Sequence, residues 1–452
     1  MIHQYKLKGF NIVLDVGSGS VHCTDDVAYE AIRLYEQRGA AAAAAGLAEM
    51  FPKLDEAGVS ELISDIGELE RRGKLFAPDV FSEAAGQEGH RTLKALCLNV
   101  SHLCNMSCSY CFAGRGEYDG GGLMPFETGK RAVDFLLESS GGRKNLDVDF
   151  FGGEPLLNWG VVKDVVSYAR EKERGSGKKF RFTLTTNGLL IDDDVIDFTC
   201  REMHNVVLSL DGRPEVNDAA RTLRGGGGSY EIIVPKFKKL VEARGGRGYY
   251  IRGTFTRDNP DFCNDALHIA DLGFTEVSLE PAVAGPGEAH VFDMGNLPAL
   301  CGQYESLAAE MLVRGKEGRG FSFYHFKLDL KGGPCVYKRL AGCGVGTEYA
   351  AVAPGGELYP CHQFVGNKDF LMGDVWRGVA DGGLRERFER RGIYARNECR
   401  ECWARFYCSG GCAANAYNAS GSVDGVYELG CEVFKKRIEC AIMMKAAGGV
   451  SD

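Results

Sequence analysis

Between about residue 92 and residue 330, six short β-rich apolar runs alternate with helix-length segments. The runs are TLKALCLNV, LDVDFF, FRFTLTT, NVVLSL, YYIRGTFT and TEVSLE, and Thr128 to Glu138 and Val161 to Glu171 are two of the helical stretches between them. Strands separated by helices cannot pair as hairpins. They form a parallel sheet with crossover helices, either open or curled into part of a barrel. In such sheets the reactive groups stand just past the carboxyl ends of strands. Four motifs obey this placement: CxxxCxxC follows the first run, GGEP the second, TNG the third and DG the fourth. Gly225 to Gly228 reads as a loop with no chemistry of its own.

The chain is 452 residues long, enough for two to four units at about 150 residues each. Residues 1 to 85 form one expected unit. YKLKGF and NIVLDV are strand-like, Thr24 and Asp25 can cap a helix through Glu36, LAEMF can form a short helix, and Val59 to Arg72 carries apolar residues at helical spacing. KLFAPDVF looks extended, and residues 83 to 91 read as a polar linker. The alternating segment, 92 to 330, is the second unit, and 331 to 452 the third. No apolar run approaches the roughly 18 to 20 residues that cross a bilayer, and the opening residues lack the apolar core of a secretory signal, so the expected location is the cytoplasm, with no membrane partner. A net charge of −9 leaves no basic field for nucleic acid.

Seventeen cysteines in a reducing compartment point to metal rather than disulfides. Cys104, Cys108 and Cys111 are spaced by three residues and then two, without an obvious fourth ligand, whereas zinc sites pair cysteines and complete four. Three thiolates on a [4Fe-4S] cluster leave one iron open to a substrate's amino and carboxylate groups. Ten cysteines crowd between Cys301 and Cys440, where bound metal would hold a segment poor in apolar pattern. A zinc knuckle or ribbon is the alternative for either set. Cys23, Cys97, Cys200, Cys263, Cys301 and Cys440 fit no spacing and read as small buried apolar residues.

The triplet, with Tyr110 as the aromatic of CxxxCxΦC, resembles the radical S-adenosylmethionine (SAM) enzymes. That resemblance implies a partial (β/α)6 TIM-type barrel. Cys104, Cys108 and Cys111 would hold the catalytic cluster. Tyr110, Phe112, Gly152, Gly153, Glu154, Asn187, Ser209, Asp211 and Arg221 would contact SAM, with GGEP at the methionine ammonium and the Arg221 fork at its carboxylate. Arg252 and Glu280 are further candidates at strand ends. A reduced cluster would split the sulfonium to give a 5′-deoxyadenosyl radical that takes hydrogen from an unactivated carbon.

The pattern Cys343, Cys361, then Cys399, Cys402, Cys408, Cys412 and finally Cys431 is similar to the SPASM extension, which carries two auxiliary [4Fe-4S] clusters. The resemblance implies that Cys399, Cys402, Cys408 and Cys431 hold the outer cluster and Cys343, Cys361 and Cys412 the inner one. Cys335 is the inner cluster's candidate fourth ligand; without it, an open iron could hold a substrate cysteine. The first unit resembles the winged-helix-like RiPP recognition element that binds the leader of a ribosomally made precursor peptide by adding a strand to a sheet edge. A structural cap on the barrel is its plain alternative.

Taken whole, the chain resembles the maturases of SCIFF peptides, with six cysteines in forty-five residues. The implied reaction is an intramolecular thioether crosslink between a Cys sulfur and a carbon of an acceptor such as Thr, with a one-electron reductant such as flavodoxin or ferredoxin as partner. Two other readings are an anaerobic sulfatase-maturing enzyme that generates formylglycine with a carboxylate base, and a zinc-stabilised binding module without catalysis.

Overall fold

The computed structural model describes residues 1–83, 92–114, 118, 121–285, 287–330 and 336–448. It begins with β1 (Ile2–Leu7), β2 (Phe10–Asp15) and β3 (Val21–Thr24), an antiparallel sheet in that order, followed by α1 (Asp26–Met50) and α2 (Glu56–Arg71). Asp25 caps α1 by accepting from the Ala28 N–H, as the sequence implies. Gly39, at φ 76°, kinks α1 between a first part that runs past Glu36 and a second part that contains LAEMF, so the two helices expected there follow one another directly. KLFAPDVF is not a strand: it forms turns and irregular chain, with Phe76 at φ 56°.

The central part runs β4 (Ala95–Ser101), β5 (Met106–Cys108), α3 (Phe126–Ser139), β6 (Asn145–Gly152), α4 (Trp159–Ser176), β7 (Lys179–Thr186), α5 (Asp193–Glu202) and β8 (Met203–Ser209). It continues with α6 (Pro214–Ala220), β9 (Arg221–Leu223), α7 (Tyr230–Ala243), β10 (Tyr249–Phe255), α8 (Phe262–Asp271), β11 (Glu276–Pro281), α9 (Leu297–Lys316) and β12 (Ser322–Phe323). All six anticipated runs are strands. They pair in parallel in the order β4-β6-β7-β8-β10-β11, each crossing over to its next neighbour. Their side chains alternate. Leu146, Val148, Phe150, Phe182, Leu184, Leu208 and Ile251 are fully buried in the main core, while Asp149, Thr183, Ser209 and Arg252 occupy the opposite, inner face.

Beyond residue 330 come α10 (Val336–Ala341), β13 (Tyr349–Val352), β14 (Glu357–Tyr359), β15 (Gly373–Asp374), β16 (Gly378–Val379), α11 (Gly382–Glu389), α12 (Asn397–Arg400), α13 (Arg405–Cys408), α14 (Ala413–Ser420) and α15 (Glu428–Ala446). The alternation ends as expected, but the sheet does not. β13 pairs in parallel with β4, and β14 to β16 extend the sheet as an antiparallel meander.

The first unit docks on α15. Ile12 and Leu14 of β2 enter the main core while Val13 faces α1 and α2. The His3 ring stacks on Trp403 at 3.7 Å and hydrogen-bonds Glu439, and the Tyr5 hydroxyl donates to the Glu439 carbonyl. Among the described residues no helix is long and apolar enough to cross a membrane.

Candidate functional site

β4 runs through residues buried on both faces and ends at Ser101, where the chain turns into the first cysteine triplet. The antiparallel pair β5·β9 sets Cys108 opposite Arg221. A turn then brings the Cys111 N–H to the Cys108 carbonyl at 3.2 Å. Burial pushes the Cys104 thiol up to about 11, with the charges of Glu154, Cys108 and Cys111 adding to it. The Cys108 thiol is also raised by burial, against the pull of Arg221. These two thiols, raised by burial, hold their protons until a cationic metal group draws them off.

GGEP is stitched to the loop before Cys104. Gly153 and Glu154 donate their N–H groups to the Ser101 and Leu103 carbonyls at 2.7 and 2.8 Å. Gly152 sits at φ +133°, and a Cβ there would stand 2.1 Å from the Ser101 carbonyl oxygen, so the close approach requires glycine. The Glu154 carboxylate is fully buried and accepts from the Thr186 hydroxyl at 2.8 Å and from the N–H groups of Asn187 and Leu156 at 2.8 and 3.0 Å. It ties the end of β7 to the triplet loop. Asn187 completes the tie: its side-chain amide donates to Asn105 Oδ1 at 2.7 Å and toward Cys104 Sγ at 3.7 Å.

On the other side, the Tyr110 hydroxyl donates to Asp211 Oδ2 at 2.7 Å and accepts from Arg221 Nη1 at 2.8 Å. Asp211 is fully buried, and its second oxygen accepts from the Thr254 N–H. Arg221 Nε is buried without a partner among the described residues. Ser209 lies half-buried at the end of β8, in register with Arg252. Phe112 is exposed, its ring 6.4 Å from Phe151 and 5.8 Å from His362.

Residues 98–259 match the model of the Radical SAM superfamily. The chain carries a radical SAM domain. An uncharacterised protein, MJ0907 of Methanocaldococcus jannaschii, is 31% identical over 134 residues, covering 30% of this chain and 44% of that relative's length. A cysteine-type anaerobic sulfatase-maturating enzyme of Clostridium perfringens is 24% identical over 77% of the chain and 96% of that relative. The crystal structure of Streptococcus suis SuiB bound to precursor peptide SuiA has the same fold over 94% of this chain and 97% of its own, with a TM-score of 0.52 and 15% identity.

The cofactors of a radical SAM domain are SAM and a [4Fe-4S] cluster, and the residues present fit both. Three thiols without a fourth suit a cluster with one open iron. The unpartnered Arg221 Nε beside them suits an incoming carboxylate.

The C-terminal cysteines gather in two sets. Cys408 is pushed up to about 12 by burial and by Cys431, Cys399 and Cys402, and Cys431 up to about 11 by burial, Cys399 and Cys402. Cys361 is raised by burial and then by Cys412, with Cys343 also adding, and Cys97 on β4 is within reach of Cys361. Cys399, Cys402, Cys408 and Cys431 thus lie within charge range of one another, and so do Cys343, Cys361 and Cys412. Cys335 lies outside the described residues. Among the described residues no three His, Cys, Asp or Glu side chains gather tightly enough for a single ion. Of the remaining cysteines, Cys97, Cys263 and Cys440 are buried as expected, and Cys301 is only half-buried. Cys23 and Cys200 are exposed, because β3 is a sheet edge and α5 turns that face to solvent.

Several inner-face groups carry no motif. Asp149 lies in register with Cys97 and Thr183, and burial, helped by Asp147, pushes it up to about 6. The His362 ring lies tilted against Phe151 at 4.9 Å, and its Nδ1 is 3.1 Å from the Tyr349 hydroxyl. Asn99 and His102, on or just past β4, keep buried polar atoms without a partner among the described residues, and His102 stacks on Tyr118. His102 stands two residues before Cys104 and His362 directly follows Cys361, the one signal that could have flagged them.

Proposed function

We propose that the chain matures ribosomally made, cysteine-rich precursor peptides by joining a Cys sulfur to a carbon of an acceptor residue such as Thr. The observation that carries this reading is the inner set, Cys343, Cys361 and Cys412. Its Cys361 lies within charge range of Cys97 on β4, the strand that delivers the first triplet, so a peptide on the inner face would meet both sets. When bound, SAM and its cluster supply hydrogen-atom abstraction from an unactivated carbon. Cys104, Cys108 and Cys111 would hold that cluster. Arg221, Ser209 and Asp211 would orient SAM, Glu154 would pin the loop that carries the triplet, and Phe112 would cover the mouth against water. The two C-terminal sets would hold auxiliary clusters.

Residues 1–83 supply a leader site, with β3 as the open sheet edge. The peptide-bound SuiB structure, covering 94% of the chain, supports this assignment. The enzyme would act in the cytoplasm with a one-electron reductant. Forming the crosslink removes two hydrogens, one as an atom and the other as a proton and an electron.

A second reading is sulfatase maturation, favoured by the match over 96% of the sulfatase-maturating relative and by Asp149, an inner-face carboxylate suited to take a substrate proton. The deciding experiment is anaerobic incubation of the reconstituted protein, SAM and reductant with a precursor peptide encoded beside its gene. A loss of two hydrogens per crosslink, mapped by fragmentation mass spectrometry to a Cys–acceptor pair, is the expected product. Unchanged peptide alongside formylglycine on a sulfatase peptide would overturn the first reading. Replacing Cys104, Cys108 and Cys111 together by Ala must abolish 5′-deoxyadenosine while leaving the other iron in place.

A further inference from the structure

Arg252 stands at the middle of β10, in register with Ser209 on β8 and Ser278 on β11, so it projects from the inner face. Its guanidinium is exposed and makes no hydrogen bond or ion pair with a described residue. Its charge nonetheless bears on Glu280, His325 and His362. Glu280 is the one carboxylate among these, and it is already engaged. Arg437 of α15 donates to Glu280 Oε2 at 3.3 Å and to the buried Tyr304 hydroxyl at 3.0 and 2.7 Å. His325 Nε2 lies 3.4 Å from Glu280 Oε1. Burial and Arg437 hold His325 down to about 3, so it carries no charge near neutral pH. Two guanidiniums therefore share one carboxylate, and the surplus charge sits on the arginine that is open to the inner face.

That surplus is not required by the cofactor. Arg221 stands opposite Cys108 with a buried, unpartnered Nε, which provides SAM's carboxylate with its own arginine. We propose that Arg252 receives a carboxylate of the peptide substrate, either an acidic side chain near the modified residues or the chain's C-terminal carboxylate. The inference rests on the reading of the chain as a peptide-modifying enzyme. A planar fork matches a carboxylate bidentately, and desolvation by a bound peptide would strengthen the contact. Glu280, held by Arg437, is the positioning residue: it keeps the guanidinium on the inner face without occupying it.

The test needs no turnover, so its outcome is independent of whether thioethers form. Reconstituted, SAM-saturated protein is titrated with trifluoroacetate and followed by fluorine NMR. Binding that weakens at least tenfold in Arg252→Gln and less in Arg252→Lys is the expected result. Unchanged binding in Arg252→Gln overturns the proposal, as does a loss of SAM affinity equal to the loss of the probe, which would reassign Arg252 to the cofactor. Competition with capped dipeptides distinguishes the sources. Preference for Ac-Cys-Asp-NH2 over Ac-Cys-Asn-NH2, abolished in Arg252→Gln, assigns a side chain. Preference for Ac-Cys-Ala-OH over its amide, abolished in the same variant, assigns the chain end. Equal binding of all four peptides by the unmodified protein overturns both.

Discussion

Asp149 is a carboxylate that costs the fold stability, and replacing it by Asn measures how much. Its carboxyl keeps its proton to about pH 6, against an ordinary aspartate value of 3.8. Between those values the folded chain binds more protons than the unfolded one, so this residue's contribution to stability falls as pH rises from about 4 through 6 and levels off above. About two units at ~1.4 kcal/mol each give a ceiling of about 3 kcal/mol, and water reaching a half-buried group lowers it to about 2 kcal/mol. Asp149→Asn should therefore be more stable than the parent by about 2 kcal/mol at pH 8 and by about 1 kcal/mol at pH 5. Paired thermal melts of the anaerobic holoprotein at pH 5, 6, 7 and 8 read the difference as a shift of a few degrees that grows with pH. A shift that does not change with pH, or a variant less stable throughout, would refute the reasoning.

Tyr110→Phe removes the hydroxyl that links Asp211 and Arg221, leaving two buried charged groups short of one hydrogen bond each. We expect a loss of about 1–3 kcal/mol in stability and weaker SAM binding by calorimetry, and unchanged values for both would contradict the bridge. Gly152→Ala forces a Cβ into the Ser101 carbonyl oxygen, so the variant should fail to retain the triplet's iron by elemental analysis; full iron content would show that the loop can move aside.

The parallel sheet was legible because its strands alternate. In FRFTLTT, Phe180, Phe182 and Leu184 point to the core and Thr183 to the inner face, a period-two pattern that few other elements imitate. β13 to β16 were not legible, since strands of two to four residues such as YAAV are too short to show a period. KLFAPDVF misled because its apolar residues fill space under α2 and beside α13 without pairing; Leu75 is buried and Phe81 packs edge-on against Phe406. The cysteine groupings followed from resemblance to a known pattern. Arg437 and Glu280 are 157 positions apart and meet only because α15 packs on α9, which no local signal encodes.

The pairing of β13 with β4 bears on how the protein can be dissected. β4 is buried along its whole length, and its outer rim is closed by a strand that the ribosome makes some 250 residues later. A fragment stopping at residue 330 would leave that rim with bare amides and apolar side chains, a ready template for aggregation. The same delay applies during synthesis, when the nascent sheet must wait for the chain's last third before that rim is covered, a window in which a chaperone would find its client.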